Sequence, residues 1–142
     1  MEITLLAALT ARVRRAAAYA WASPNTIFGL AVGLLLRGRF QRVSGVIEID
    51  GPAVERALKS LWVPAAALTL GHVVFAQNQR LLDRTRVHER VHVRQYERWG
   101  PFFVPAYLFW FAFLSFRGRD GYRENPFEIE AYDIDDPASR PW

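Results

Sequence analysis

In 142 residues the chain carries 51% hydrophobic and 14% aromatic side chains, enough to bury one core and too many for a disordered segment. It has no cysteine, which excludes disulfides and thiolate-bound metal, so any metal must be held by His, Asp or Glu. The net charge of +4 admits anionic partners; no nucleic-acid motif is present and nucleic acid is not expected, whereas apolar segments beside arginines favour contact with a membrane surface.

Residues 1–22 predict an amphipathic helix, with Ile3, Leu6, Leu9, Val13, Ala17 and Trp21 on one stripe and Arg12, Arg14 and Arg15 largely off it. Ser23-Pro24-Asn25 reads as a break, followed by a second apolar helix over 26–36. The segment 16–36 is long enough to span a bilayer, at about 30 Å as a straight helix. The internal break favours two short helices, so 1–39 is expected to form an apolar hairpin that associates with membrane or, alternatively, packs in the core. Residues 40–50 alternate apolar and polar and predict a strand. Residues 53–62 suggest a short helix or an ill-defined strand. Residues 66–77 predict a second strand, with Leu68, Leu70, His72 and Val74 on one face, and Asn78-Gln79 marks a turn.

Residues 83–101 predict one helix, with Asp83 as N-cap and Gly100-Pro101 as the stop. It contains His88-Glu89-Arg90-Val91-His92, an H-E-x-x-H pattern. Histidines four apart lie one turn above each other on one helix face, so both imidazoles can reach a single metal ion. A glutamate directly after the first then lies beside the ion's open position, where it can take a proton from water. One Zn²⁺ is the expected cofactor, with His88 and His92 as ligands and Glu89 as base. Gln95 and Trp99 share the metal face, and Gln95 is a candidate contact to substrate or to the ligands. Arg86, Arg90, Arg94 and Arg98 form a drifting stripe that reads as a solvated face.

Residues 101–116 are the most apolar stretch, with eight aromatics in sixteen positions. At about 24 Å as a helix the stretch falls short of a hydrocarbon core of roughly 30 Å. It is expected to dip into the interface or to pack under the site. A further helix follows, with Asn125 as N-cap and Pro126 at its first position. Glu128 in this helix is the chosen third metal ligand, although it also occupies the capping-box position. Glu124, Glu130 and Asp133 compete for the same role. Tyr132, one turn beyond Glu128, is a candidate catalytic side chain. Transition-state donors could come from Tyr132, Tyr122, Tyr96 or His72, and His72 is also a candidate substrate contact.

The pair His88-Glu89-Arg90-Val91-His92 and Glu128-Ile129-Glu130-Ala131-Tyr132 resembles the gluzincin pattern, H-E-x-x-H followed by a downstream E-x-x-A/S-D/Y helix. With Gln95, the first half is also similar to minimal zincin domains carrying H-E-x-x-H-x-x-Q. The likeness covers residues 66–99 and 124–133. It implies a zinc-dependent peptidase acting on a peptide or protein substrate, with Glu128 as third ligand and Glu89 as general base. The expected fold is α+β: a short sheet, the metal helix and a ligand helix over 40–136, preceded by the apolar hairpin over 1–39 and followed by a surface tail over 137–142. Membrane association is expected, with a soluble cytoplasmic protein as the alternative. Rival functions are a non-catalytic protein of the same fold and a small membrane protein with an accidental motif. One constraint is topological: a single crossing of a bilayer by 101–116 would put the histidines and Glu128 on opposite sides.

Overall fold

Two-residue turns fold residues 39–76 into four strands. β1 (Arg39–Val43) and β2 (Val46–Asp50) pair antiparallel, with Val43 opposite Val46. Ser44 and Gly45 between them have φ of 48° and 80°, the two left-handed residues of a type I′ turn. β3 (Ala67–Leu70) and β4 (Val73–Ala76) form a second hairpin around Gly71-His72. Gly71 has φ 63°, and a Cβ there would lie 2.3 Å from Thr26 Oγ1, so the position requires glycine. The single strands expected over 40–50 and 66–77 are therefore hairpins; the alternation runs on through each turn, and only the glycines mark the reversal. The structure, a computed structural model, describes residues 2–135, with side chains from residue 5; the expected 137–142 tail lies outside the described residues.

The sheet order is β1-β2-β4-β3, with β2 and β4 parallel, which leaves β3 as an edge strand. α2 (Pro52–Lys59) lies in the crossover between the parallel pair. Alternation then assigns the two faces. Ile49, Val73 and Phe75 pack with Val54 and Leu58 of α2 and with Leu30, Val32 and Leu36. Val46, Val74 and Ala76 pack with Leu82 and Val93 of α3 (Gln79–Trp99) on the other. The chain is thus mixed α+β, a small sheet between helical layers.

The N-terminal hairpin does not form. Residues Glu2–Leu35 are one helix, α1, with Pro24 inside it. Proline removes the amide that would bond the Ala20 carbonyl, and Ser23 Oγ donates to that carbonyl instead at 2.7 Å. Thr26 Oγ1 donates to the Ala22 carbonyl and accepts the His72 amide at 3.0 Å, while Asn25 Nδ2 donates to the Gly100 carbonyl. The polar run that reads as a break is therefore consumed in packing the helix onto the sheet and α3. The first half of α1, residues 5–17, is exposed.

α3 starts before Asp83. Asn78 is the N-cap, its side-chain oxygen accepting the Leu81 amide at 3.0 Å, and Asp83 bonds Arg86 within the helix. The arginine stripe is only partly solvated. Arg86 grips Glu48 through two bonds of 2.8 Å, and Arg90 reaches Glu48 and the Val43 carbonyl. Glu48 is almost fully buried, so this charge cluster ties α3 to β2 at a depth where breaking it would be costly.

After a 3₁₀ turn at Gly100–Phe102, α4 (Phe103–Phe116) leads away from α3. Gly118 at φ 71° and the Arg119 amide, bonded to the Leu114 carbonyl, close the helix. Asp120 Oδ1 accepts the Tyr122 and Arg123 amides, and Asn125 Oδ1 accepts the Phe127 amide. α5 (Pro126–Asp135) then returns against α3. Ala22, Tyr96, Phe103 and Phe127 form a further core cluster. The helical stretch Gln79–Phe116 contains one window long and apolar enough to cross a membrane, and only 17% of that window is buried.

Candidate metal centre

α3 and α5 meet at His88, His92 and Glu128, all three buried. His88 Nε2 lies 3.2 Å from Glu128 Oε2 and 3.2 Å from His92 Nε2, and His92 Nε2 lies 3.5 Å from Glu128 Oε1. Ligand atoms about 2.0–2.2 Å from one ion at tetrahedral angles lie roughly 3.3 Å apart. The three groups therefore have the donor types and spacing to hold a metal ion. The turn after α4 brings Glu128 back to the histidines, so the topological constraint is met.

Neighbours fix each ligand. Gln95 is wholly buried. Its amide nitrogen donates to the Phe127 carbonyl at 3.0 Å and to Glu130 at 2.8 Å, which turns its oxygen toward His92 Nδ1, 2.8 Å away. This network assigns the His92 proton to Nδ1 and aims Nε2 at the metal position. Gln95 thus supports a ligand. A Gln95→Leu variant is expected to bind a divalent metal ion about 10–100-fold more weakly, measured by competition with a chromophoric chelator. Tyr107 Oη donates to Glu128 Oε1 at 2.7 Å. The Glu128 carboxylate is thereby committed to the cluster, and the Asn125 amide bonds the Tyr122 carbonyl, so the capping-box alternative is not adopted.

Glu89 is buried beside the cluster, and Thr69 Oγ1 donates to its Oε2 at 2.6 Å. Burial pushes the Glu89 carboxyl up from its ordinary range, opposed in part by the histidines and Thr69. Burial disfavours a charged His92, but hydrogen bonding and charge from Glu128 outweigh it and hold the ring up to about 9 in the metal-free protein. Burial likewise works against the Glu128 anion, yet bonds from His88 and His92 pull its carboxyl down to about 2. A metal must therefore displace a proton held between His92 and Glu128.

The cluster opens into a cavity of about 1080 Å³ between β3, the 61–66 loop, α3, α4 and α5. Tyr132 lines it with its ring 4.7 Å from His88, and its hydroxyl lies 3.4 Å from that of Tyr122. Tyr96 also lines it, but its hydroxyl is bonded to the Thr69 carbonyl at 3.0 Å. The other candidates are placed elsewhere. His72 lies outside this cavity, stacked on Tyr19 with Nε2 2.8 Å from Glu97. Glu124 bonds Arg119, Glu130 bonds Arg98 and Gln95, and Asp133 is outside the ligand cluster. Trp99 packs edge-on against Phe127. Thr69 and Tyr107 are the site residues that sequence reasoning missed. Each is the polar exception in an apolar run, A-A-L-T-L and P-A-Y-L-F-W, which is the signal that could have found them.

Comparison with protein-family models, with curated proteins and with solved structures gives no match.

Proposed function

We propose that the chain is a zincin-like, zinc-dependent metallohydrolase that cleaves peptide bonds at a membrane surface. The observation that carries this reading is the 3.2–3.5 Å triangle of His88, His92 and Glu128 with the Glu89 carboxyl buried next to it. Zinc held by these three groups would supply a Lewis acid for the substrate carbonyl and acidify a water beside it. Glu89 takes the proton from that water and returns it to the leaving amine. Its raised proton affinity suits the second transfer, and the Thr69 hydroxyl bond to Oε2 leaves Oε1 as the oxygen that carries the proton in this reading. Tyr132, its ring 4.7 Å from His88 and its hydroxyl 3.4 Å from that of Tyr122, serves in this reading as the donor to the oxygen on which charge develops.

A peptide substrate is favoured by β3. The Gln77 amide bonds the Ala66 carbonyl, so the ladder to β4 uses residues 66, 68 and 70. The backbone groups of Ala67 and Thr69 point to the free edge, where Tyr96 already takes the Thr69 carbonyl. An extended peptide could add a strand there, along the cavity wall. Membrane contact is favoured by the exposed Phe102, Leu108, Phe109 and Phe116 on and beside α4, and by Trp62, 97% exposed at the cavity rim. The apolar window that includes α4 is read as lying in the interface and not as crossing, because the turn after α4 returns Glu128 to the histidines on the same side.

Incubating zinc-loaded protein with an unfolded polypeptide, with and without lipid vesicles, tests the activity. New amino termini that vanish with chelator and return with zinc are expected by mass spectrometry. Intact substrate under both conditions would contradict the reading.

A further inference from the structure

α1 spans 34 residues, against four or five in each strand it packs on, and one face of it has no partner among the described residues. Ala22, Gly29 and Gly33 turn inward and are buried. The outward face carries an apolar stripe whose spacing is a palindrome. Stepping from Ala20 toward the N-terminus by four, three, four and three residues reaches Ala16, Val13, Leu9 and Leu6. The same steps toward the C-terminus reach Pro24, Ile27, Ala31 and Leu34. All nine positions are exposed, the five large side chains among them by 57–68%. Between Leu5 and Leu36 the only charged residues are Arg12, Arg14 and Arg15, and none falls on the stripe.

Steps of three and four keep a stripe on one side of a helix, the pattern of a two-helix seam. The palindrome adds an orientation. When two copies of α1 run antiparallel with their Ala20 residues at the two-fold axis, Leu6 meets Leu34, Leu9 meets Ala31, Val13 meets Ile27 and Ala16 meets Pro24. Such a contact is isologous, one patch complementary to itself. Alanines at its centre let the helices approach closely, and the larger side chains fill the ends. The seam from Leu6 to Leu34 is about 42 Å long. Burying it on both copies removes on the order of 1,500 Å² from water, the size of a stable interface. The arginines around Arg14 then stand about 18 Å from their counterparts along the seam, beyond a Debye length of about 8 Å. A lipid-facing stripe needs apolar side chains but no mirror symmetry, so the spacing selects a second copy as the occupant.

We infer that the chain forms a symmetric dimer through α1, paired antiparallel about Ala20. The two-fold axis of such a pair stands normal to the plane of the two helices, so a flank that faces one way in one copy faces the same way in the other. Phe102 touches Trp21 on one flank of α1, with ring centroids 6.0 Å apart. It therefore lies on the same side in both copies, where α4 begins, and the membrane face of α4 stays free. The dimer does not depend on the metal centre.

Sedimentation equilibrium of the full chain at micromolar concentration tests it, with twice the 16.3 kDa of one chain as the expected mass. A wild-type monomer would overturn the dimer. Val13→Glu/Ile27→Glu sets like charges against each other at two contacts and should weaken association at least about 100-fold. Val13→Glu/Ile27→Lys sets opposite charges across the same contacts and should stay within about tenfold of wild type. Equal losses in the two variants would overturn the register. The chain has no cysteine, so introduced thiols report the geometry directly. Under mild oxidation Ala20→Cys is expected to cross-link to itself, and Leu6→Cys only when mixed with Leu34→Cys. Self-linking of Leu6→Cys, as a parallel pair gives, would overturn the arrangement. Circular dichroism checks folding, and the cysteine variants supply the readout if a charged variant unfolds. A monomer whose Ala20→Cys fluorophore moves to an apolar environment on adding phosphatidylcholine vesicles would overturn the dimer and assign the face to lipid.

Discussion

Replacing Glu89 with Gln is expected to lower peptide-bond turnover about 10³-fold while the protein keeps its zinc. The two side chains have the same shape, and Gln can still accept the Thr69 hydroxyl bond that positions Glu89. What is lost is the ability to hold a proton between its removal from water and its delivery to the amine, a contribution typically worth 10²–10⁴-fold. Metal content should not change, because the ligand triangle consists of His88, His92 and Glu128. The variant also has a stability signature. Burial raises the Glu89 carboxyl, so the ionised group weighs against the folded state at pH values above its unfolded range. Metal-free Glu89→Gln protein should accordingly melt higher than wild type near neutral pH. Turnover and metal analysis on the same sample check the first expectation, and calorimetry of the stripped protein checks the second. Undiminished turnover would remove Glu89 from the mechanism.

Removing the third ligand should produce the reverse pattern. A four-ligand zinc site contributes about 10–16 kcal/mol, so one ligand is worth roughly 3 kcal/mol and Glu128→Ala should weaken zinc binding at least about 10²-fold. Glu130→Gln is the control. Glu130 lies two residues on from Glu128, on a different face of α5, bonded to Arg98 and Gln95, so its loss should cost far less affinity. The metal-free Glu128→Ala protein should differ too. Glu128 is what holds His92 up to about 9 against burial, and without it the ring titrates lower, which NMR of the imidazole would follow. Equal zinc affinities for the two variants would mean that the ligand lies elsewhere.

The metal helix was legible because its chemistry is local. Two histidines one turn apart declare a shared face, and Gly100-Pro101 declares the end of the helix. Glu128 was legible for a different reason: Asn125-Pro126 announces a helix start that fixes its position in the first turn. The N-terminal break was misread because Pro24 is judged locally, whereas Ser23, Asn25 and Thr26 find their partners on Ala20, Gly100 and His72. The β-hairpins were hidden for a related reason. Apolar alternation continues through Ser44-Gly45 and Gly71-His72, and a single glycine in a strand pattern weighs little until Thr26 is seen pressed against it. Contacts across the fold, such as Tyr107 to Glu128 or Thr69 to Glu89, have no periodic signature. They become visible only when four elements converge on one cavity.

Titration of chelator-stripped protein with zinc at pH 7, by calorimetry in two buffers of different ionisation heat, tests the metal centre most directly. Because His92 is held up to about 9 without metal, the expected result is one zinc per chain with release of about one proton, and loss of binding in a His88→Ala/His92→Ala variant. No binding to the wild-type protein, or binding that survives in the double variant, would contradict a metal site built from His88, His92 and Glu128.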